Sequence, residues 1–434
     1  MKRCKKLLCL LLVVVMVALI FGGCGSSSSK DSTGNKATSA PKKLVYFGLN
    51  DYDTPDFFTD FEQQNNVTIQ KILYPSDKFD QAFMVAMNGG QQVDVGMING
   101  QSVRSYVSKG ILADLTNDVT YMDRFYPSSA SQYVIGGKLF GLPAVTVWNM
   151  CFFYNKDIFT KYKLNPPKTY SDLLSINKVL RKNNIYSIAV GAANSYDLTN
   201  WFMENYFQTS GNKGLERTID TLKGNAKFTD PDYVEAMTDL RNFARDGLFQ
   251  PGYMGADGTA RVAAFASGKT GMYFGGNWDI AGLNKAGLDS SKIGVVNFPV
   301  VKQGAQQQVS GTASGSAAVI YAKSAAENKD IDLKLLDYLT SDKMNIKENQ
   351  KTGTFVSTNK NVTVPGIDPL SKKIQTDLVP TVVTFLDWYW PPEVTKVFAA
   401  EMQSVIALQD SPQAAMAKVQ KALDDAVAAG YKYQ

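Results

Sequence analysis

The stretch Phe265–Asp279, FASGKTGMYFGGNWD, decides how the rest of the chain is read. Gly268 fits a helix C-cap, because glycine enters the left-handed backbone region without a Cβ penalty. Met272, Tyr273 and Phe274 then make an apolar run of strand length. Gly275 and Gly276 let the backbone come close to something bulky, and Asn277, Trp278 and Asp279 follow where the strand should end. A tryptophan flanked by an amide and a carboxylate at the carboxyl end of a strand suits a ligand crevice. It also suits a ring packed beneath a loop, and both readings stay open here.

Outward from this stretch, strand and helix signals alternate. Leu44–Phe47, Val67–Ile69 and Val93–Ile98 read as strands, with Phe79, Phe83, Ala86 and Met87 on one helical face among them. Val145 to Asp157, VTVWNMCFFYNKD, reads as one long apolar strand interrupted by Trp148 and Asn149. Thr169-Tyr170-Ser171-Asp172 has the spacing of a capping box ahead of a helix. Ile188–Val190, Ile293–Val300 and Ser316–Tyr321 add strands, and Ser411-Pro412 opens a last helix that Gly430 stops. Such alternation implies βαβ units in an α/β fold. Residues 42–434 are too many for one ordinary core and suit two lobes.

The helix end, Gly268-Lys269, Met272, the short strand and Trp278 together resemble family 1 extracellular solute-binding proteins. These are the maltose-binding-protein-like, substrate-capturing subunits of ABC importers. Tyr133–Pro143, YVIGGKLFGLP, is similar to the family segment before the first crossing between lobes, with Ile135–Lys138 in place of its usual polar start. The resemblance implies a two-lobed, periplasmic-binding-protein-like fold with a ligand cleft between lobes joined by hinge strands. Those hinges are expected near Val147–Phe152 and Lys292–Pro299, with a third crossing after about Thr352. The lobes would be residues 42–146 plus 294–350, and 147–293 plus 351–434. Trp148 falls where the family carries a sugar-contacting residue, and it also fits a core residue of its strand.

Residues 1–23 read as a lipoprotein signal peptide. Lys2, Arg3, Lys5 and Lys6 form a basic start, Leu7–Phe21 is apolar, and Gly22-Gly23-Cys24 closes the segment. The apolar run is shorter than the roughly 20 residues that span a bilayer. Cys24 is the expected lipidation site, carrying palmitate-type chains, and residues 24–41, rich in Ser, Thr and Gly, the flexible tether. The expected location is therefore the extracellular face of the cell membrane. Four of the five net positive charges belong to the leader, so the rest of the chain is near neutral and points to no nucleic-acid partner. Beyond Cys24 only Cys151 remains, which rules out a disulfide framework. The absence of histidine removes the commonest general base and zinc ligand. No metal ion or other cofactor is expected.

All five tryptophans, Trp148, Trp201, Trp278, Trp388 and Trp390, stand next to polar residues at strand ends or in loops. Aromatic faces stack on the C–H faces of sugar rings, while amides and carboxylates bind the hydroxyls. Asp51, Asp53, Asn149, Asp197, Asn277, Asp279 and Asp387 are the candidates for those polar groups. A surface glycoside hydrolase is the alternative of another class, and needs two carboxylates at a set separation. A carbohydrate-binding adhesin is the third. The expected function is non-enzymatic capture of a carbohydrate, an oligosaccharide by preference, by a monomer that delivers it to a permease.

Overall fold

The computed structural model describes residues 40–433 apart from 50–55, 127–128, 130, 145, 194, 313 and 353–355. The leader, Cys24, the tether to residue 39, Asp51 and Asp53 therefore lie outside the described residues. The strands begin with β1 (Lys42–Leu49), β2 (Val67–Tyr74) and β3 (Val95–Asn99). A small hairpin follows, β4 (Val134–Ile135) and β5 (Lys138–Leu139), then β6 (Leu142–Pro143) and the ten-residue β7 (Thr146–Asn155). Next come β8 (Tyr186–Ala189), β9 (Thr270–Gly276), β10 (Ile293–Val296) and β11 (Val309–Thr312). β12 (Ser316–Ile320), β13 (Val356–Ser357) and β14 (Val382–Thr384) complete the set.

They form two main sheets. The first runs β2-β1-β3-β12-β6, parallel across β2, β1 and β3 and antiparallel at β12 and β6. The second runs β14-β11-β7-β9-β8, with β10 and β13 also paired to β7. Each sheet carries its own apolar core. Leu44, Phe47, Phe79, Phe83, Met97 and Leu335 belong to the first. In the second sheet the two-residue side-chain period sorts residues cleanly between faces. Met150, Phe152, Met272 and Phe274 join one core, while Cys151, Phe153 and Tyr273 join another on the opposite face.

The local chemistry matches the sequence patterns. The capping box forms, with the Thr169 hydroxyl accepting from Asp172 N and the Asp172 carboxylate accepting from Thr169 N. Gly268 takes a φ of 73°, just past the helix Gly258–Ala266. All seven residues of β9 are buried, as expected of a strand with neighbours on both sides. β9 pairs antiparallel with β7 and parallel with β8.

β7 joins the two bodies. Its start pairs with β13, its middle with β11 and its end with β9 and β10. One crossing differs from expectation. Gly294 does not return the chain to the first sheet: β10 and β11 both stay on β7, and the return comes at Ser316. Beyond Thr352, Asn359 bridges Phe125 and Tyr126 N donates to Thr358 O. The apolar run at 293–300 fits a strand of either sheet, and only ladder pairing distinguishes them.

Candidate functional site

Three tryptophans gather where the two bodies meet. Trp148 lies on β7, Trp278 on the 3-10 turn Asn277–Asp279 after β9, and Trp388 on the turn Leu386–Tyr389. All three are half-buried. The Trp148 and Trp278 rings stand 5.5 Å apart at 52°. Trp148 lies over Gly315, where an added Cβ would fall 1.7 Å from the ring, and Trp388 over Gly100, where the distance would be 2.6 Å. Gly100 N donates to Gly315 O at 3.0 Å, so the two bare positions sit side by side, each beneath an indole. Any larger residue at either glycine would push the ring away.

The seam is closed around Trp388. A space of about 10 Å³ is lined from one side by Gly100, Arg104 and Gln132 and from the other by Thr384, Trp388 and Tyr389. The Arg104 guanidinium stands 4.5 Å from the Tyr389 ring centroid, a cation–π distance. A roomier cavity of about 810 Å³ lies elsewhere, among Lys163, Pro166, Lys168, Val295 and Lys373. It has no tryptophan, so size alone does not make it the better sugar site.

The other expected site residues fare differently. Trp201 is 1% exposed and boxed by Phe243, Phe249, Phe274 and Phe298 at 4.9–5.5 Å, so it belongs to a core and not to a cleft. The sequence places it beside polar residues, but the helix Ser195–Thr209 turns its ring inward. Trp390, 6% exposed, stacks on Phe398 at 4.5 Å and 10° and is likewise core.

Asn149 and Asn277 are fully buried and bonded to the backbone. Asn277 Nδ2 donates to Val147 O at 2.8 Å and its Oδ1 accepts from Asn149 N at 3.2 Å. They rivet the Trp278 turn to the crossing strand. Asn149 itself donates to Met150 O at 3.0 Å. Both amides are enclosed in this arrangement.

Asp197 and Asp279 both bind Arg261, a residue the sequence reading did not single out. Burial, partly offset by Arg261, pushes the Asp197 carboxyl up to about 7. Asp279 Oδ2 also accepts from Gly276 N at 3.0 Å and from the Tyr273 hydroxyl. Asp387, beside Trp388, has an enclosed Oδ1 with no hydrogen-bond partner, and burial pushes its carboxyl up to about 7. Among the described residues no group of three or more acidic or cysteine side chains could hold a metal ion.

Residues 56–381 match the family described as bacterial extracellular solute-binding protein. An uncharacterized ABC-transporter extracellular-binding protein of Pyrococcus horikoshii is 25% identical over 249 residues, 56% of either chain. The galactooligosaccharide-binding protein of Bacillus subtilis is 23% identical over 285 residues, 63% of this chain and 64% of its own. The matched segments thus span less than two thirds of these relatives' lengths. A solved structure from work on xylan utilization by Caldanaerobius polysaccharolyticus superposes with a TM-score of 0.76 at 22% identity, covering 87% of this chain and 99% of that one. That likeness shows a shared fold, the two-lobed α/β architecture. With most of its length matched, this chain belongs to the family of bacterial extracellular solute-binding proteins.

Proposed function

We propose that this protein captures an oligosaccharide at the seam between its two sheets and delivers it to the permease of an ABC importer. One observation carries the reading: two half-buried indoles, Trp148 and Trp388, lie over the paired glycines Gly315 and Gly100, and a third, Trp278, stands 5.5 Å from Trp148. Half-buried indoles suit the C–H faces of sugar rings. The galactooligosaccharide-binding relative in Bacillus subtilis points to the same ligand class. Opening and closing about β7, β11 and β13 would admit ligand and enclose it. Binding without chemistry is the expected outcome, with the protein acting as a monomer.

The test is calorimetry with galactotriose, xylotriose, maltotriose and raffinose, beside an assay for released reducing sugar. Saturable heat without sugar release supports the reading. Release of reducing sugar would move the protein to the hydrolase class.

We place the protein at the outer face of the membrane, held by lipid on Cys24. The Phe21-Gly22-Gly23-Cys24 junction and the short apolar run motivate this. Each buried methylene contributes about 0.8 kcal/mol, so two or more acyl chains anchor firmly where one does not. Cys24→Ser is expected to release the protein into the medium or stall its processing. Normal cleavage with unchanged membrane retention would refute the anchor.

A further inference from the structure

The turn that carries Trp278 is held by a buried ionic knot. Arg261, on the helix Gly258–Ala266, is 5% exposed. Its Nη1 donates to Asp197 Oδ1, in the first turn of the helix Ser195–Thr209. Its Nη2 donates to Asp279 Oδ2 at 3.2 Å, the oxygen that also accepts from Gly276 N and the Tyr273 hydroxyl. The guanidinium lies 5.0 Å from the Tyr273 ring centroid. One side chain thus ties together the segment after β8, the turn after β9 and the helix before β9. A planar fork can bind two carboxylates at once, whereas a lysine ammonium is a compact point charge on a flexible stem.

We propose that Arg261 is a positioning residue for ligand binding, fixing where Trp278 stands relative to Trp148. Its bonds to Asp197 and Asp279 run to buried or half-buried protein groups, so it acts through the turn. Asn277 anchors the same turn from the other side, through Val147 O and Asn149 N. Two anchors on opposite flanks define the angle of the indole between them. If only Asn277 remains, the turn can pivot about it and the Trp148–Trp278 pair opens. The effect on affinity rests on the sugar-binding reading; the effect on the indole pair does not.

The experiment therefore has two arms. Two indoles 5.5 Å apart couple as chromophores, and their contribution to far-ultraviolet circular dichroism is isolated by subtracting the spectrum of Trp278→Phe. Arg261→Lys is expected to lose most of that contribution. The triple variant Arg261→Met, Asp197→Asn, Asp279→Asn, which carries no unpaired buried charge, is expected to do the same and guards against simple misfolding. With whichever of galactotriose, xylotriose, maltotriose or raffinose binds the wild type, Arg261→Lys should weaken affinity about 10- to 100-fold, as a misplaced contact does. Arg217→Lys, at an ion pair with Asp230 and Asp232, should leave both readouts unchanged. An intact indole signal in Arg261→Lys and in the triple variant overturns the proposal. So does affinity within threefold of wild type where Trp278→Phe binds poorly. If no sugar binds the wild type, the proposed function fails and the dichroism arm alone decides Arg261.

Discussion

Trp201 and Trp278 share almost the same surroundings in sequence, a polar neighbour and a nearby aromatic, yet the fold uses them in opposite ways. Trp201 has phenylalanine rings on several sides and 1% of its surface exposed. Trp278 stands beside Trp148 and stays half-buried. A ring enclosed on all sides stabilises the fold, while a half-buried ring is, on the proposed function, a platform for ligand. The difference is the number of covered faces, and residue type does not set it.

The comparison breaks most visibly at Trp201. Trp201→Ala empties an aromatic box and is expected to lower unfolding free energy by about 3–5 kcal/mol. Urea unfolding measures it, and a loss under 1 kcal/mol would mean that the box collapses around the gap. Trp278→Ala should do the reverse. Losing a half-covered indole should weaken binding by about 2–4 kcal/mol, roughly 30- to 1,000-fold, and barely move the melting temperature of the empty protein. Near-normal affinity with a collapsed melting temperature would return Trp278 to the core.

A smaller effect links the two regions. Glu204 shares the helix of Trp201, and its Oε1 accepts from both N and Oγ of Ser310 on β11 at 2.6 Å. β11 pairs with β7 at Trp148, so this carboxyl ties the interior to the seam. Burial, opposed by the two Ser310 donors, pushes Glu204 up to about 8, from an ordinary value of 4.5. A raised carboxyl binds its proton more tightly in the folded state. Its stabilising share is therefore complete below about pH 4.5 and fades as pH rises through 8. Glu204→Gln keeps an acceptor for Ser310 and cannot titrate. Its melting temperature should fall less steeply than wild type between pH 5 and 8, by at most about 1.4 kcal/mol per pH unit in free energy. Parallel curves would assign the pH dependence to Asp197, Asp239, Asp332 and Asp387, which burial also raises.

What the sequence determined by itself was the set of elements governed by local rules. The Thr169–Asp172 cap, the C′ glycine Gly268 and the β9 run followed by Trp278 were legible because each depends on residues within one turn or one strand. The α/β class followed from their alternation, and the family resemblance from the motifs they carry. Tertiary structure decided which strands cross, since β10 and β11 read the same whichever sheet they join. It also decided which tryptophans face the seam, because that depends on how a helix or turn is rotated against a sheet. Arg261 escaped notice for a related reason. Its partners lie 64 and 18 residues away, and no local pattern marks a residue whose bonds form only when three distant segments meet.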